Sequence, residues 1–368
     1  MEIVVNYNLD EQAIIFFTAF DLSYKKQQEI FSLTEKLSDL LTNFNNYSTQ
    51  IERYINDKAI FDDICQKLSN GFLSSYINNL NNEEIVCLTI CSTGYPNSLK
   101  EIDQPPYILF CKGDISLLNT DGIAIVGTRT PTSYGKIVTE QFAKGLVLND
   151  FTIISGMAAG VDTVAHKTAL DNNGKTIAVL GSGFEYIYPA FNKELSRKIV
   201  QEGLLITEYK PSTKPALYTF PFRNRIIAGL SKGVLITEAG EKSGALHTKE
   251  YALEMGKEIF VVPGNINSAM SKGTNRLIRS LQGACVLGYE DIVSKFKNDV
   301  VTVKKPKLNV QVSLEEQMIL DALKLEGKTV EQLQEITNLP TSKLNSCLTI
   351  FEIKGIVKKL PGNRIELI

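Results

Sequence analysis

The chain has 368 residues, 43% of them hydrophobic and 22% charged, which is the composition of a soluble globular protein with length for two or three domains. It holds no run of about 18 uncharged apolar residues, and its first residues lack a basic segment leading into an apolar one, so a cytoplasmic protein with no membrane segment is expected. The net charge of −2 is unevenly spread: residues 1–90 carry 6 Lys/Arg against 13 Asp/Glu, residues 91–310 carry 26 against 20, and residues 311–368 carry 7 against 8. The basic centre is where an anionic partner would bind. Of six cysteines only Cys87 and Cys91 are close, and the two histidines lie elsewhere, so no metal centre, disulfide framework or cofactor is signalled.

Residues 1–90 read as a helical domain. Ala13–Phe17 form an apolar block, and Ile30, Phe31, Leu33, Leu37, Leu40 and Leu41 recur at helical spacing between Asn-rich breaks at 43–46 and 78–82. Residues 91–297 then alternate strand and helix signals. Strands are predicted at Ile123–Val126, Thr152–Ile154, Thr176–Leu180, Leu204–Thr207, Gly233–Thr237, Glu258–Val262 and Ala284–Leu287. Helices are predicted near 135–149, 160–173, 192–202, 224–231, 245–256 and 273–282. Strands of four or five apolar residues are buried on both faces, which predicts an α/β fold with a Rossmann-like doubly wound parallel sheet.

Several predicted strand ends carry glycine-rich turns: Gly127-Thr128-Arg129, Ser155-Gly156 through Gly160, Gly181-Ser182-Gly183, Glu238 through Ser243-Gly244, and Gly273-Thr274-Asn275. Glycine lets backbone approach a ligand, and helix N-termini aim N–H groups at anions. None is Gly-x-Gly-x-x-Gly or a Gly-Lys-Ser/Thr loop, so dinucleotide and triphosphate sites are disfavoured. Tyr209 to Ile236 carries Lys210, Lys214, Arg223, Arg225 and Lys232 and no Asp or Glu. Within it, Phe220 precedes Arg223-Asn224-Arg225, an aromatic beside paired guanidiniums. That combination suits phosphates and bases, hence a nucleic acid strand. One of these arginines as a buried ion pair, with Glu238 as counter-charge, is the structural alternative, and Asn224 is a candidate helix cap. Asp162 and His166, at i and i+4, read as a side-chain pair fixing a helix. His247, after Ser243-Gly244, is poised to cap a helix or face a ligand, and Tyr186 and Tyr188 read as core.

Residues 298–310, with Lys304-Lys305-Pro306-Lys307, read as a linker. Beyond it, Ser313-x-x-Glu316 and Thr329-x-x-Gln332 are capping boxes, a third helix runs through Leu348 and Phe351, and Gly355–Leu367 reads as a hairpin. Helices plus hairpin predict a winged-helix domain at 311–368. Its second turn helix has Lys343 as its one basic residue, so a protein-contact role competes with DNA binding.

From Tyr95 to Leu287 the chain resembles the DNA processing protein A (DprA/Smf) family. The matching blocks include Gly127-Thr128-Arg129, Ser155-Gly156-Met157-Ala158-Ala159-Gly160-Val161-Asp162, Gly181-Ser182-Gly183, Phe220-Pro221-Phe222-Arg223-Asn224-Arg225, Glu238-Ala239, Ser243-Gly244, Val262-Pro263-Gly264 and Gly273-Thr274-Asn275. The resemblance implies a dimeric cytoplasmic protein that binds single-stranded DNA, protects incoming DNA during natural transformation and loads RecA recombinase, with no catalytic residues. It assigns phosphate contact to Gly127, Thr128, Arg129, Arg223 and Arg225, base stacking to Phe220, and a place in the nucleic-acid site to Ser155, Gly156, Asn224, Ser243, Gly244, Gly273, Thr274 and Asn275. A rival of another class is a nucleotide phosphoribohydrolase-like enzyme with Glu250 as its carboxylate. Its Pro-Gly-Gly loop is missing here, and the Arg-Asn-Arg run has no use in that reaction.

Overall fold

The computed structural model describes residues 6–301, 313–324, 326–353, 356–360 and 363–367. The chain divides into two compact units, Met1–Val303 and Lys304–Ile368. The first begins with helices α1 (Leu9–Thr18), α2 (Tyr24–Phe31), α3 (Asp39–Thr42), α4 (Ser48–Ile55), α5 (Lys58–Ser69) and α6 (Phe72–Asn82). Asn8 and Glu11 form the capping box that starts α1.

The sheet and its covering helices follow in order: β1 (Val86–Thr89), α7 (Asn97–Lys100), β2 (Ile108–Gly113), β3 (Gly122–Val126), α8 (Ser133–Leu148), β4 (Thr152–Ser155), α9 (Val161–Asp171), β5 (Thr176–Val179), α10 (Lys193–Glu202), β6 (Leu204–Thr207), α11 (Thr219–Leu230), β7 (Gly233–Ile236), α12 (Ala245–Glu254), β8 (Glu258–Val261), α13 (Lys272–Arg279), β9 (Ala284–Cys285) and α14 (Tyr289–Phe296). The strand order is β1-β2-β6-β5-β4-β3-β7-β8-β9, parallel from β6 to β9 and antiparallel at β1–β2 and β2–β6. The chain leaves β3 toward β4 but leaves β7 toward β8, so the sheet switches direction between β3 and β7. In such sheets the crevice at that switch is the usual ligand site.

Alternation along each strand loads both faces. Ala124, Val126, Ile154, Ile177, Val234 and Ile236 pack with Ile226 and Ile227 of α11 and Ala252 of α12. Ile123, Ile125, Ile153, Leu235 and Phe260 pack with Phe142 and Leu146 of α8, Ala165 of α9 and Ile292 of α14. Each of the Val, Leu, Ile and Phe side chains among them stabilises the fold by about 1.5–3 kcal/mol. A third core joins Ile14, Phe17, Ile30 and Ile51 of the first helices to Ile108 and Phe110 of β2.

The structure differs from the sequence reading at several elements. Val86–Thr89, inside the stretch read as helical, is an edge strand too short to show a period, and β2 was equally unsignalled. Helix α14 was not anticipated, although Ile292 and Val293 bury fully in it. Helix α11 begins at Thr219 rather than 224, because Pro221 lies in the first turn, where no backbone N–H is required. Asn224 is therefore inside the helix and is not its cap.

The second unit contains α15 (Leu314–Leu323), β10 (Lys328–Thr329), α16 (Val330–Thr337), α17 (Thr341–Ile353), β11 (Val357–Leu360) and β12 (Arg364–Leu367). Ser313 and Thr329 close the two capping boxes, and β12 pairs antiparallel with both β11 and β10. Ile319, Leu333, Leu348, Phe351 and Ile365 form its core. Lys304–Lys307 and the turn residues Pro361 and Gly362 lie outside the described residues.

Candidate nucleic-acid interface

Arg223 ties the ends of two strands together. Its Nη1 donates to Gly156 O at the end of β4 (2.8 Å) and to Val179 O at the end of β5, and its Nε donates to Asn224 Oδ1 (3.2 Å). The side chain is 4% exposed. Burial lowers its pKa to about 10, opposed first by Asp162, so it stays charged at neutral pH. A Cβ at Gly156 would lie 2.7 Å from Arg223 Cζ, which is why this strand end carries glycine. Asp162 Oδ2 accepts from the N–H groups of Gly156 (3.0 Å) and Ala158 (3.3 Å) and so holds the same turn. Burial pushes the Asp162 carboxyl up, and Arg223 works against that rise.

Arg225 is 2% exposed and forms a bidentate pair with Glu208, Nη1 to Oε1 at 2.8 Å and Nη2 to Oε2 at 2.6 Å. Its Nε donates to Gln104 O (2.8 Å), and its guanidinium lies 3.7 Å from the Phe222 ring centroid. Burial disfavours the charge, Glu208 more than offsets it, and the pKa is raised. Neither arginine, then, presents its guanidinium to solvent. The counter-charge is Glu208 for Arg225 and Asp162 for Arg223, not Glu238. Sequence reasoning missed Glu208 because it stands one residue before the acid-free run Tyr209 to Ile236.

What faces outward is different. Arg129, after β3, is exposed, with its guanidinium 5.8 Å from the ring of half-buried Phe220. Gly181, after β5, packs beneath that ring; a Cβ there would lie 2.9 Å from Phe220 Cδ1. Tyr188, read as core, is 50% exposed with its ring 5.5 Å from that of Phe220. Exposed Lys214 lies 6.0 Å from the half-buried Tyr186 ring. Ser155 is buried and donates to Ile125 O (2.6 Å).

The remaining predicted residues gather around the β3/β7 switch. Gly127 is half-buried, and Thr128 is buried with its N–H on Glu238 O (2.7 Å). The N–H groups of Gly273 and Thr274 both reach Ala239 O, and Asn275 exchanges two hydrogen bonds with Gly264. These groups brace loops. Ser243 is half-buried, and Gly244 and His247 are exposed where α12 begins. The Glu238 carboxylate accepts from Thr132 N (2.8 Å) and Thr132 Oγ1 (2.7 Å) at the start of α8. Thr132, Glu238, Gly264 and Ser271 line a hollow of about 460 Å3. An internal anion thus holds the helix N-terminus where a dinucleotide fold would bind phosphate.

His166 does not pair with Asp162. Its Nδ1 meets Thr176 Oγ1 (2.7 Å), and burial lowers its pKa to about 3. Glu250 stands exposed on α12, paired with Lys249 (2.8 Å), whose hydrogen bond holds its carboxyl below the usual range. Among the described residues no cluster of His, Cys, Asp or Glu has the form of a metal site, and no helix is long and apolar enough to cross a membrane.

Fold and site define a Rossmann-like protein with an aromatic and basic face at its strand ends and a winged-helix unit behind it in sequence. Residues 86–297 match the family model described as DNA recombination-mediator protein A, and residues 303–363 match the DprA winged helix domain; the chain belongs to the DNA processing protein A family. It is 41% identical over 221 residues to DNA processing protein DprA of Bacillus subtilis, covering 60% of this chain and 74% of that one. It is 35% identical over 320 residues to protein Smf of Synechocystis, covering 76% and 79%. The X-ray structure of DNA processing protein A from Streptococcus pneumoniae matches with a TM-score of 0.67 at 32% identity, over 80% of this chain and 99% of that one. The Helicobacter pylori protein, whose structure describes a single-stranded DNA binding mode, matches with a TM-score of 0.52 at 34% identity, over 57% and 94%.

Proposed function

We propose that this chain is a cytoplasmic, non-catalytic protein that binds single-stranded DNA with little sequence preference, protects incoming DNA during natural transformation and loads RecA recombinase onto it. The observation that carries the reading is exposed Arg129 set 5.8 Å from Phe220 at the open strand ends, a cation beside a ring, in a chain similar to a protein described for its single-stranded DNA binding. Stacking on such rings is worth about 1–3 kcal/mol per base and tolerates any sequence. Arg129 contacts phosphate and Phe220 takes a base. The Thr128 and Ser243 N–H groups are held by Glu238 O and Gly240 O, so the Gly127–Thr128 and Ser243–Gly244 turns, with Ser155, Gly156, Asn224, Gly273, Thr274 and Asn275, shape the surface. Arg223 and Arg225 act from below, as buried ties. The RecA step rests on the family resemblance.

The protein acts as a homodimer through the open edge of the sheet. Strand β9 is exposed there, and Leu281 and Leu287 beside it stand almost fully in solvent. Such an edge invites a second strand. The deciding measurement is fluorescence anisotropy of labelled oligo-dT, competed with duplex of equal length across a salt series. Tight, salt-sensitive binding that duplex displaces poorly is expected and leads to a RecA-loading assay. Absent binding, or equal affinity for duplex, overturns the reading and directs attention to nucleoside monophosphate hydrolysis at Glu250.

A further inference from the structure

We propose that Tyr188 and Phe191 extend the stacking surface, so that a bound single strand lays bases on the 181–191 loop as well as on Phe220. The proposal rests on the reading that the chain binds single-stranded DNA and adds residues that reading does not assign.

The loop is held firmly alongside the segment that leads into α11. Gly183 N donates to Thr213 O (2.8 Å) and Glu185 N to Pro211 O (3.1 Å), while Ser182 Oγ donates to Tyr186 O (2.6 Å). At its far end Asn192 is buried and donates from Nδ2 to Met157 O (2.9 Å) and Thr163 Oγ1 (2.8 Å), which anchors the turn to the loop after β4. On this braced turn sit two large rings that the fold leaves in water, Tyr188 at 50% and Phe191 at 69% exposure.

One exposed aromatic needs no explanation. Here Tyr188 touches Phe220 at 5.5 Å with the rings inclined by 50°, so no base fits between them and each ring offers its own face. Arg129 stands over Phe220, and Lys214 stands over Tyr186 of the same loop. Among the described residues neither cation has a salt-bridge partner within 4 Å. Rings on a rigid turn flanked by free cations match what a nucleic acid strand requires: π-faces for successive bases and positive charge for the phosphates between them. Tyr188 carries one base, and Phe191, three residues along the turn, carries another.

The test uses the full chain with two probes of equal length, labelled oligo-dT and a strand of abasic deoxyribose phosphates. Tyr188→Ala and Phe191→Ala are each expected to weaken oligo-dT binding by about 5- to 150-fold, with the salt slope unchanged because no charge is removed. Tyr188→Phe, which keeps the ring, restores the affinity. On the abasic strand the alanine variants match wild type. Wild-type affinity for oligo-dT in both alanine variants overturns the proposal while leaving the single-strand reading intact. So does an equal loss on the abasic strand, which would mean that the rings act through the fold. Unchanged oligo-dT affinity with impaired recombinase assembly overturns it by assigning the rings to a protein partner. Failure of wild type to bind oligo-dT overturns both readings.

Discussion

At the scale of residues, the basic motif of α11 divides by burial into a structural part and an exposed neighbourhood. Removing Arg225 leaves Glu208 buried without a partner, and breaking such a pair costs about 3–5 kcal/mol. Arg225→Ala should lower stability by that amount in urea denaturation; a change below about 1 kcal/mol would mean that Glu208 finds solvent. Arg129→Ala should leave stability within about 0.5 kcal/mol, as exposed sites do, yet reduce the salt slope of oligo-dT binding by roughly 0.7. An unchanged slope would remove Arg129 from the phosphate contacts. His166 gives a pH dependence. Its folded pKa of about 3 lies below the ordinary 6.5, so the unfolded chain takes up its proton first. Its contribution is complete above pH 6.5 and is lost as pH falls from there toward 3. His166→Gln should flatten the stability profile between about pH 6.5 and 5. A parallel profile would show that carboxylates alone set the acid limb, with Asp162, raised by burial, acting in the opposite sense.

At the scale of elements, the start of α8 is closed by a carboxylate from another strand end. Glu238 is 1% exposed and satisfies the N–H of Thr132, as a bound phosphate would in a nucleotide-binding relative of this architecture. Glu238→Ala should cost about 0.5–2 kcal/mol, the range for losing a helix cap, because Thr132, the N-cap of α8, loses both hydrogen bonds that hold it. Because the helix end then lacks its anion, millimolar phosphate should raise the melting temperature of this variant more than that of wild type. Equal responses would show that the hollow beside α8 does not accept an anion once the carboxylate is gone. The parallel strands were legible in the sequence because burial on both faces leaves bare apolar runs such as Ile123–Val126 and Gly233–Ile236. Strands β1 and β2 were not, since an antiparallel edge of four to six residues beside helices leaves no period to count. The candidate site was legible as a set of glycine-rich turns at strand ends and not as a set of contacts. Whether Arg225 meets a phosphate or Glu208 depends on a partner 17 residues away. Tyr188 was misread because an aromatic beside glycines looks the same in sequence whether it is packed or displayed.

At the scale of the whole molecule, charge is divided among parts that do different work. The first helices are acidic, and their region fastens the basic segment 209–236: Asp21 pairs with Lys210 (2.7 Å), and Tyr24 packs against Phe222 (5.8 Å). The winged-helix unit is nearly neutral, and several of its cations have local partners, Lys343 with Glu315 (2.5 Å), Lys328 with Glu326 (2.7 Å) and Lys324 with Asp321 (2.6 Å). Lys343, on α17, is the cation that a duplex-reading helix would extend to phosphate, and here it is committed to a carboxylate. Single-strand binding should therefore be a property of the first unit. If Arg129 and Lys214 each neutralise one phosphate per protomer, the salt slope is about −1.4, and affinity falls about 7-fold between 50 and 200 mM salt. A protein ending at Val303 should show the same slope and an oligo-dT affinity within about 2-fold of the full chain, because none of the counterions released by the strand leaves the second unit. Anisotropy titrations of both proteins over that salt range decide the matter. A shallower slope in the shortened protein would place phosphate contacts on the winged helix, where exposed Lys358 and Lys359 of β11 would be the first to examine.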